Sequence, residues 1–439
     1  MPLLITFGAV LILLLLIVLL KWHPFIALLL VAIGAGLCLG MGPEGTVAAI
    51  KDGVGGTLGG LAMILGLGAT LGGIIAETGA AQVITDRLVA GRTGMSVLWG
   101  LCLVGFLVGI PLFYSVAFVM MAPIIFSASR KTGLPLAMVA VATVASLSVT
   151  HGFLPPHPAP VIISDTYGAD LGKVLLYGIL LGIPSVILAG PLLARTLRKM
   201  PQTEGALVFE GAAVPEVLPS FGTSLFCALL PVFLLGGGAL VQSLLGTDME
   251  VGSAWLGLLT DATLALLVGV VVAMVLLGRQ TGQSFSYLMG RVGKWLAPMA
   301  AVLLIIAGGG AFKQVLVDSG TSEYIVEVLR GFNAHPIFIA WLIAAALRVT
   351  LGSATVAAIT AAGIALPLAQ GGAASPELLV LATGAGSLTC SHVNDTGFWL
   401  FKEYFGLTVP QTLRSWTVME TVVSVIGLVG CLGLSAVIS

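Results

Sequence analysis

The sequence predicts an all-α, polytopic membrane protein made of two repeats of inverted topology. Of its 439 residues, 58% are hydrophobic and only 8% are charged, whereas soluble domains carry about 25% charged residues. Mean hydropathy is +1.13, and several apolar stretches reach the ~17–25 residues that cross a bilayer as a helix. A pattern of residues in the first half also recurs in the second. These observations together exclude an ordinary soluble domain.

The internal repeat is visible in two pairs of segments. "IIAETGAAQVITDRL" at 74–88 matches "VLVDSGTSEYIVEVL" at 315–329, a spacing of 241 residues, which is the difference between positions 77 and 318. At the same spacing, "SLSVTH" at 146–151 matches "SLTCSH" at 387–392. One unbroken spacing favours a duplication over chance similarity between apolar segments.

The duplication sets the expected domain organisation. We expect a membrane repeat over residues 1–198, a polar cytoplasmic linker over 199–220 and a second membrane repeat over 221–439. Basic residues in short loops mark the cytoplasmic side of a membrane. Applied to this chain, the rule gives five transmembrane helices and one re-entrant hairpin per repeat. Because five is odd, the second repeat is expected to be inverted, with ten crossings in all.

Each hairpin is predicted to turn at a break in an apolar stretch, at "GIPLFYS" (109–115) and "TLGSAT" (350–355). Inverted repeats with broken segments are typical of secondary transporters, whose site lies near the midplane where the repeats meet. Irregular backbone at that depth must be buried in protein or line a wet cavity. The sequence therefore favours a transporter with a central polar cavity.

The two polar stretches ending at His151 and His392 supply the first candidates for a substrate site. Their hydroxyls alternate with apolar residues, which we interpret as unwound chain whose hydroxyls and free N–H groups bind substrate oxygens. The alternative is hydroxyls that bond back to helix carbonyls. The histidines are either donors and proton carriers or buried core residues. The candidates are Ser146, Ser148, Thr150, His151, Ser387, Thr389, Ser391 and His392.

The second repeat adds polar residues that the first repeat lacks. Asn394 and Thr396, with Ser353 and Thr355 at the hairpin tip, are further candidates for substrate binding. A carboxylate at membrane depth is costly and usually lines an ion or substrate path. We therefore predict that Asp395, together with His392, couples transport to an ion. The alternative for Asp395 is a cap on the following helix, and both roles can hold at once.

Arg348 lies four residues before Gly352 at the second hairpin tip, where the first repeat has Leu107. One fixed guanidinium beside an unwound tip would hold a single carboxylate through two hydrogen bonds. This argues for a monoanionic substrate. The alternative is an arginine that extends to the membrane interface. Asp261 and Glu420 receive no role.

Several classes of function lack support in the sequence. The five cysteines are scattered and have no metal-ligand spacing, so no metal site is expected. A net charge of −1 without a basic tail argues against nucleic acid as a partner. No nucleophile elbow, P-loop or dinucleotide motif is present. We expect no cofactor and no enzyme activity, and uphill transport without an ATP site must use an ion gradient.

The segment "GSLTCSHVNDTGFWLFKEYFGLTVPQTLRSWTVMET" (386–421) closely resembles the C-terminal signature of the gluconate permease (GntP) family. "HGFLPPHPAP" (151–160) and the chain length agree with it. The resemblance implies proton symport of gluconate and related sugar acids, or D-serine in one branch, across the bacterial inner membrane. It also implies inverted repeats with paired hairpins that move substrate in an elevator-like shift. The signature corresponds to Ser391, His392, Val393, Asn394, Asp395, Gly397, Phe398 and Trp399.

The sequence therefore predicts a multi-pass symporter that imports gluconate or a related small hydroxylated monocarboxylate with protons. Its expected partners are this acid, protons and membrane lipids, and a homodimer is left open. One alternative is a sodium-coupled carrier of a similar acid or of D-serine, because hydroxyls, carbonyls and a carboxylate over Ser387–Asp395 could bind sodium. A different class is an intramembrane enzyme that uses His151, His392 and Asp395.

Overall fold

The structure is a computed structural model of the chain. It describes residues 2–89, 94–110, 114–155, 157–201, 215–245, 261–321, 324, 334–370 and 374–438. Within these residues every regular element is a helix. Most of the linker predicted over 199–220 lies outside the described residues. The all-helical prediction is confirmed.

The described part of the first half of the chain contains nine α-helices. In order, α1 to α9 are Pro2–Leu14, Pro24–Cys38, Gly42–Glu77, Ala80–Val89, Met95–Gly109, Tyr114–Thr132, Leu136–Phe153, Pro158–Tyr167 and Leu171–Ile187. Proline begins α2 and α8, where its missing N–H costs no hydrogen bond. Asp170 caps α9 by accepting from the N–H of Lys173 at 2.8 Å.

The described part of the second half contains nine further α-helices. In order, α10 to α18 are Phe221–Leu245, Ala262–Thr281, Phe285–Asp318, Pro336–Leu351, Ala354–Gln370, Pro376–Gly386, Thr396–Tyr404, Val409–Thr412 and Val418–Ile438. A π-helical turn, Leu413–Thr417, leads from α17 into α18. Helix α5 ends and α6 begins within the first predicted hairpin tip, 109–115, and α13 ends and α14 begins within the second, 350–355.

The order of helices recurs at the spacing of the sequence repeat. Helix α3 ends at Glu77 and α12 ends at Asp318, while α5 begins at Met95 and α13 at Pro336. Both pairs are 241 residues apart. The inverted topology of the repeats and the count of ten crossings stay predictions.

Six described helical segments are long and apolar enough to cross a membrane, and six shorter apolar helices accompany them. The six long segments are Gly42–Glu77, Leu136–Tyr167, Leu171–Leu197, Thr263–Thr281, Phe285–Asp318 and Val409–Val437. Many of their side chains are exposed leucine, isoleucine and valine, as expected for helices that face lipid. The chain is therefore a multi-pass membrane protein.

The two long helices α3 and α12 pack closely because small residues meet at their contact. A Cβ atom added to Gly53 would lie 2.4 Å from the carbonyl oxygen of Gly310, and one added to Gly310 would lie 2.7 Å from that of Gly53. A side chain at either position would push the helices apart. This contact joins the two halves of the chain close to the polar cavities described below.

A buried acid fixes the end of α3 to the start of α12. Glu77 accepts a hydrogen bond from the hydroxyl of Tyr287 at 3.0 Å and from Arg291 at 3.1 Å. The Glu77 carboxylate is buried, whereas Arg291 is partly exposed. The cluster therefore ties the two halves together at one end of their longest helices.

We expect Glu77→Ala to lower the free energy of unfolding by about 1–3 kcal/mol, because Tyr287 and Arg291 lose their acceptor in a partly buried site. Thermal unfolding in detergent measures the effect. Asp52→Ala is the control, because Asp52 is an exposed acid on the same helix α3. Equal melting temperatures for the two variants would show that the cluster adds nothing to stability.

Candidate substrate site

The second polar stretch is unwound, as predicted. Nine residues, 387–395, separate the end of α15 from the start of α16. Cys390 has a φ of +49°, in the left-handed region, and its N–H donates to the Thr421 hydroxyl at 3.2 Å. The irregular backbone of this stretch therefore contacts α18 directly.

The prediction of unwound chain is wrong for the first stretch. Helix α7 continues through Ser146–His151 and ends only at Phe153. No residue in the stretch interrupts the ladder of helical hydrogen bonds. The break follows instead at Leu154, where Pro155 and Pro158 lack the N–H groups that would continue it.

A cavity of about 130 Å³ lies among residues of both halves of the chain. Seven of the predicted site residues line it: Ser148, His151, Arg348, Ser353, Thr355, Asp395 and Thr396. Three other lining residues, Tyr114, Trp416 and Glu420, received no role from the sequence. The structure therefore brings half of the predicted set to one place and adds two aromatic side chains and an acid.

Arg348 and Asp395 form a buried ion pair in this wall. The Nη2 atom of Arg348 donates to Oδ2 of Asp395 at 2.6 Å, and the two side chains are 2% and 7% exposed. Asp395 also accepts from the Ser391 hydroxyl and, through Oδ1, from the N–H of Gly397 at 3.1 Å. Asp395 thus both caps α16 and lines the cavity, while Arg348 is buried in the cavity wall and does not reach the protein surface.

The Arg348 guanidinium has donors to spare. Its Nε and Nη1 atoms are buried and have no hydrogen-bond partner in the described part of the chain. A guanidinium carries five N–H donors in a rigid fork that matches a carboxylate. Because leaving such donors unpaired in a buried site is costly, Arg348 is suited to an anionic ligand that enters the cavity.

Glu420 is the second carboxyl group of the cavity. Its Oε1 atom accepts from the Ser148 hydroxyl, which belongs to the first half of the chain. Its Oε2 atom is buried and has no partner among the described residues. The rule that singled out Asp395, an acid within apolar membrane sequence, applies equally to Glu420 in α18.

Aromatic rings form another part of the wall. The centroids of Tyr114 and Trp416 are 5.7 Å apart, and those of Tyr114 and His151 are 6.2 Å apart. The indole N–H of Trp416 donates to the Ser391 hydroxyl at 2.7 Å, which orients the ring. The hydroxyl of Tyr114 and Nδ1 of His151 are buried without a partner in the described part of the chain. Both atoms are available to a ligand.

Four predicted hydroxyls do not line the cavity, because each is engaged elsewhere. Ser146 donates to the carbonyl of Cys102 at 2.7 Å. Thr150 and Ser387 bond back to carbonyls three residues earlier in the chain. Thr389 pairs with the Ser424 hydroxyl at 2.5 Å. The alternative interpretation, hydroxyls bonded within the protein, describes these four.

The remaining candidates, Ser391, His392 and Asn394, lie behind or beside the cavity. Ser391 links Asp395 to Trp416, as described above, and His392 is buried away from the wall. The Asn394 side-chain amide donates to the carbonyls of Val349 at 2.8 Å and Thr350 at 3.1 Å. Asn394 thus closes the end of helix α13.

A second cavity of about 220 Å³ adjoins the first and shares Leu61, Ser353 and Thr396 with it. Asn394, Lys313 and several glycines of α3 and α12 also line it. The described residues contain no group of three or more His, Cys, Asp and Glu that could hold a metal ion. The two cavities are thus polar, and their walls carry the basic side chains of Arg348 and Lys313 and the carboxyl groups of Asp395 and Glu420.

Comparison with known proteins places this arrangement in a family. The profile of the GntP family permeases matches residues 1–438. The chain belongs to this family. It is 48% identical to the high-affinity gluconate transporter and 46% identical to the Gnt-II system L-idonate transporter, both from Escherichia coli K12, with 100% of each chain covered. It is 41% identical to the gluconate permease of Bacillus subtilis 168, again over 100% of both chains.

The GntP relatives are named permeases and transporters. The chain is accordingly a transporter and not an enzyme, as predicted, and the alternative of an intramembrane enzyme is set aside. Among solved structures, the YdaH transporter of Alcanivorax borkumensis matches with a TM-score of 0.44 and 17% identity, over 95% of this chain and 98% of that chain.

Proposed function

We propose that this GntP-family protein imports gluconate or a related hydroxylated monocarboxylate by proton symport across a bacterial inner membrane. The main support is Arg348, a buried guanidinium on the cavity wall with two nitrogen atoms, Nε and Nη1, that lack a partner in the described part of the chain. The names of the relatives agree, because gluconate and L-idonate are both hydroxylated monocarboxylates.

In this proposal the Arg348 guanidinium holds the substrate carboxylate through the N–H groups of Nη1 or Nε, which lack a partner among the described residues. The hydroxyls of Ser353, Thr355 and Thr396 exchange hydrogen bonds with the hydroxyls of the sugar acid, since each can both donate and accept. The second cavity, which shares two of these hydroxyls, extends the polar path. Movement of this site by an elevator-like shift of inverted repeats is part of the proposal.

Protons are favoured over sodium as the coupling ion. A sodium site needs several oxygen ligands around one point. Ser387 and Thr389, two hydroxyls that a sodium site over Ser387–Asp395 would use, do not line the cavity. The cavity wall offers instead two carboxyl groups, Asp395 and Glu420, that can each carry a proton. The ion-coupling role assigned to Asp395 and His392 from the sequence stays a prediction.

Uptake into proteoliposomes tests the proposal. With an alkaline interior, labelled gluconate is expected to accumulate above its outside concentration, and a protonophore should abolish the accumulation. Replacing sodium with choline at a fixed pH gradient should leave the rate unchanged. L-Idonate and D-serine, offered as competitors, rank the substrates. A strict requirement for sodium would contradict proton symport, and no uptake of any sugar acid would contradict the substrate class.

A further inference from the structure

We propose that Glu420, and not Asp395, carries the proton that is transported with the acid. This inference rests on the proton symport proposed above and assigns its coupling step to one side chain. The carboxyl group of Glu420 would be protonated when the substrate carboxylate is bound at Arg348, and would lose the proton after the substrate leaves.

The surroundings of Glu420 suit a group that gains and loses a proton. Its side chain is 1% exposed and lines the cavity. One oxygen accepts from Ser148, while the other is free to hold a proton. None of the ion pairs among the described residues includes Glu420. Protonation therefore breaks no salt bridge.

Asp395 has the opposite surroundings. Its two oxygens accept from Arg348, Ser391 and the N–H of Gly397. A proton on Asp395 would leave the Arg348 guanidinium buried without its counter-charge, which is strongly destabilising. Because these contacts also cap α16, Asp395 is better suited to position Arg348 throughout the cycle.

The charges that face Glu420 explain how the proton and the acid are coupled. Arg348 of α13 and Asp395 of the unwound stretch line the same cavity, with His151 of α7 and Tyr114 of α6 beside them. With both acids ionised, the one guanidinium faces two carboxylates. A monoanion adds a third negative charge, and a proton on Glu420 removes one.

The charge of the cavity is then the same when it is empty as when it holds one acid and one proton. Binding of the acid therefore favours protonation, and by linkage protonation favours binding of the acid to the same degree. The charged residues on other elements that pack against α18 do not line the cavity: Lys173 on α9, Glu377 on α15 and Arg414 in the π-helical turn.

The deciding experiment counts protons. Purified protein in weakly buffered detergent solution is mixed with gluconate, and a pH-indicator dye reports the protons taken up. We expect about one proton per bound acid for the unmodified protein and for Glu403→Gln, the control, since Glu403 pairs with Lys402 outside the cavity. Glu420→Gln should take up none, because glutamine keeps the acceptor for Ser148 but cannot be protonated.

Transport gives a second readout. In proteoliposomes Glu420→Gln should exchange labelled for unlabelled gluconate but should no longer accumulate it against a pH gradient. Accumulation by Glu420→Gln, or proton uptake that survives in it and disappears in Asp395→Asn, would overturn the assignment while leaving proton symport intact. If the unmodified protein accumulates gluconate without protons, the proposed function itself fails.

Infrared difference spectroscopy adds a measurement on the unmodified protein, which does not depend on whether a variant folds. In the unmodified protein, gluconate should produce the carbonyl band of a newly protonated carboxylic acid. Glu420→Asp, which keeps a carboxyl group, should retain the band at a shifted position. An unshifted band in Glu420→Asp, or no band in the unmodified protein, would overturn the proposal.

Discussion

Replacing Arg348 with leucine is expected to weaken the binding of gluconate by about 30- to 1000-fold, since losing one partner of a buried, charged hydrogen-bond pair costs about 2–4 kcal/mol. A neutral polyol of the same length should lose much less, because it makes no ion pair with the guanidinium. Quenching of tryptophan fluorescence measures both affinities, because Trp416 lines the cavity. Arg348→Lys should fall between, since lysine keeps the charge but not the two-pronged geometry.

The double variant Arg348→Leu/Asp395→Asn separates binding from folding. The single variant leaves Asp395 as a buried acid without its cation, and its melting temperature should fall for that reason. Removing the second charge should restore much of the stability without restoring affinity for the acid. Equal losses for the acid and the polyol, or recovered affinity in the double variant, would contradict a carboxylate site at Arg348.

The sequence was sufficient to predict the class of fold and two charged residues of the site, Arg348 and Asp395, whose burial in a membrane costs much free energy. Long apolar stretches can satisfy their backbone groups in a membrane as helices, which fixes the class. Arg348 and Asp395 were predictable because a charged residue in apolar sequence is expensive and needs a reason to be there. The break at "TLGSAT" was predictable because Gly352 adopts a positive φ easily.

The faces of the helices could not be predicted in the same way. In an extended chain Ser146, Ser148 and Thr150 would point to one side, but in a helix positions i and i+4 share a face and i+2 lies opposite. Because α7 is helical, Ser148 alone of the three reaches Glu420. The sequence pattern by itself was compatible with both conformations.

Partners distant in sequence were also beyond prediction. Ser148 and Glu420 are separated by 272 residues, and no pattern around either residue names the other. Tyr114 and Trp416 received no role from the sequence, and the fold places their ring centroids 5.7 Å apart. The structure also assigns separate contacts to the neighbours Asn394 and Asp395, which the sequence could only mark as an unusual polar pair.

Gly352→Ala is expected to have the largest effect on the site without changing any polar group. Gly352 ends α13 with a φ of +72°, and its N–H donates to the carbonyl of Arg348 at 3.0 Å. A Cβ atom there would lie 2.2 Å from the carbonyl oxygen of Asn394. Alanine would add the ~1–2 kcal/mol of a left-handed residue to a clash with backbone that cannot move aside.

Gly168→Ala is the matched control. Gly168 also ends a helix, α8, with a φ of +66°, but nothing lies within 4 Å of its Cβ position. Gly168→Ala should lose only the ~1–2 kcal/mol of stability that backbone strain costs and should keep transport. Gly352→Ala should have a lower melting temperature and should lose uptake. Equal melting temperatures and uptake rates would show that the hairpin tip is not held against the unwound stretch.

The close contact between Gly352 and Asn394 suggests a reason why Asn394 and Asp395 occur together in the second half only. Asn394 holds the end of α13 through the carbonyls of Val349 and Thr350, and Asp395 holds Arg348 one helical turn earlier. A displaced tip would therefore move the guanidinium as well. If Gly352→Ala loses affinity for gluconate as severely as Arg348→Leu, the contacts of Asn394 and Asp395 together fix the position at which Arg348 binds the substrate carboxylate.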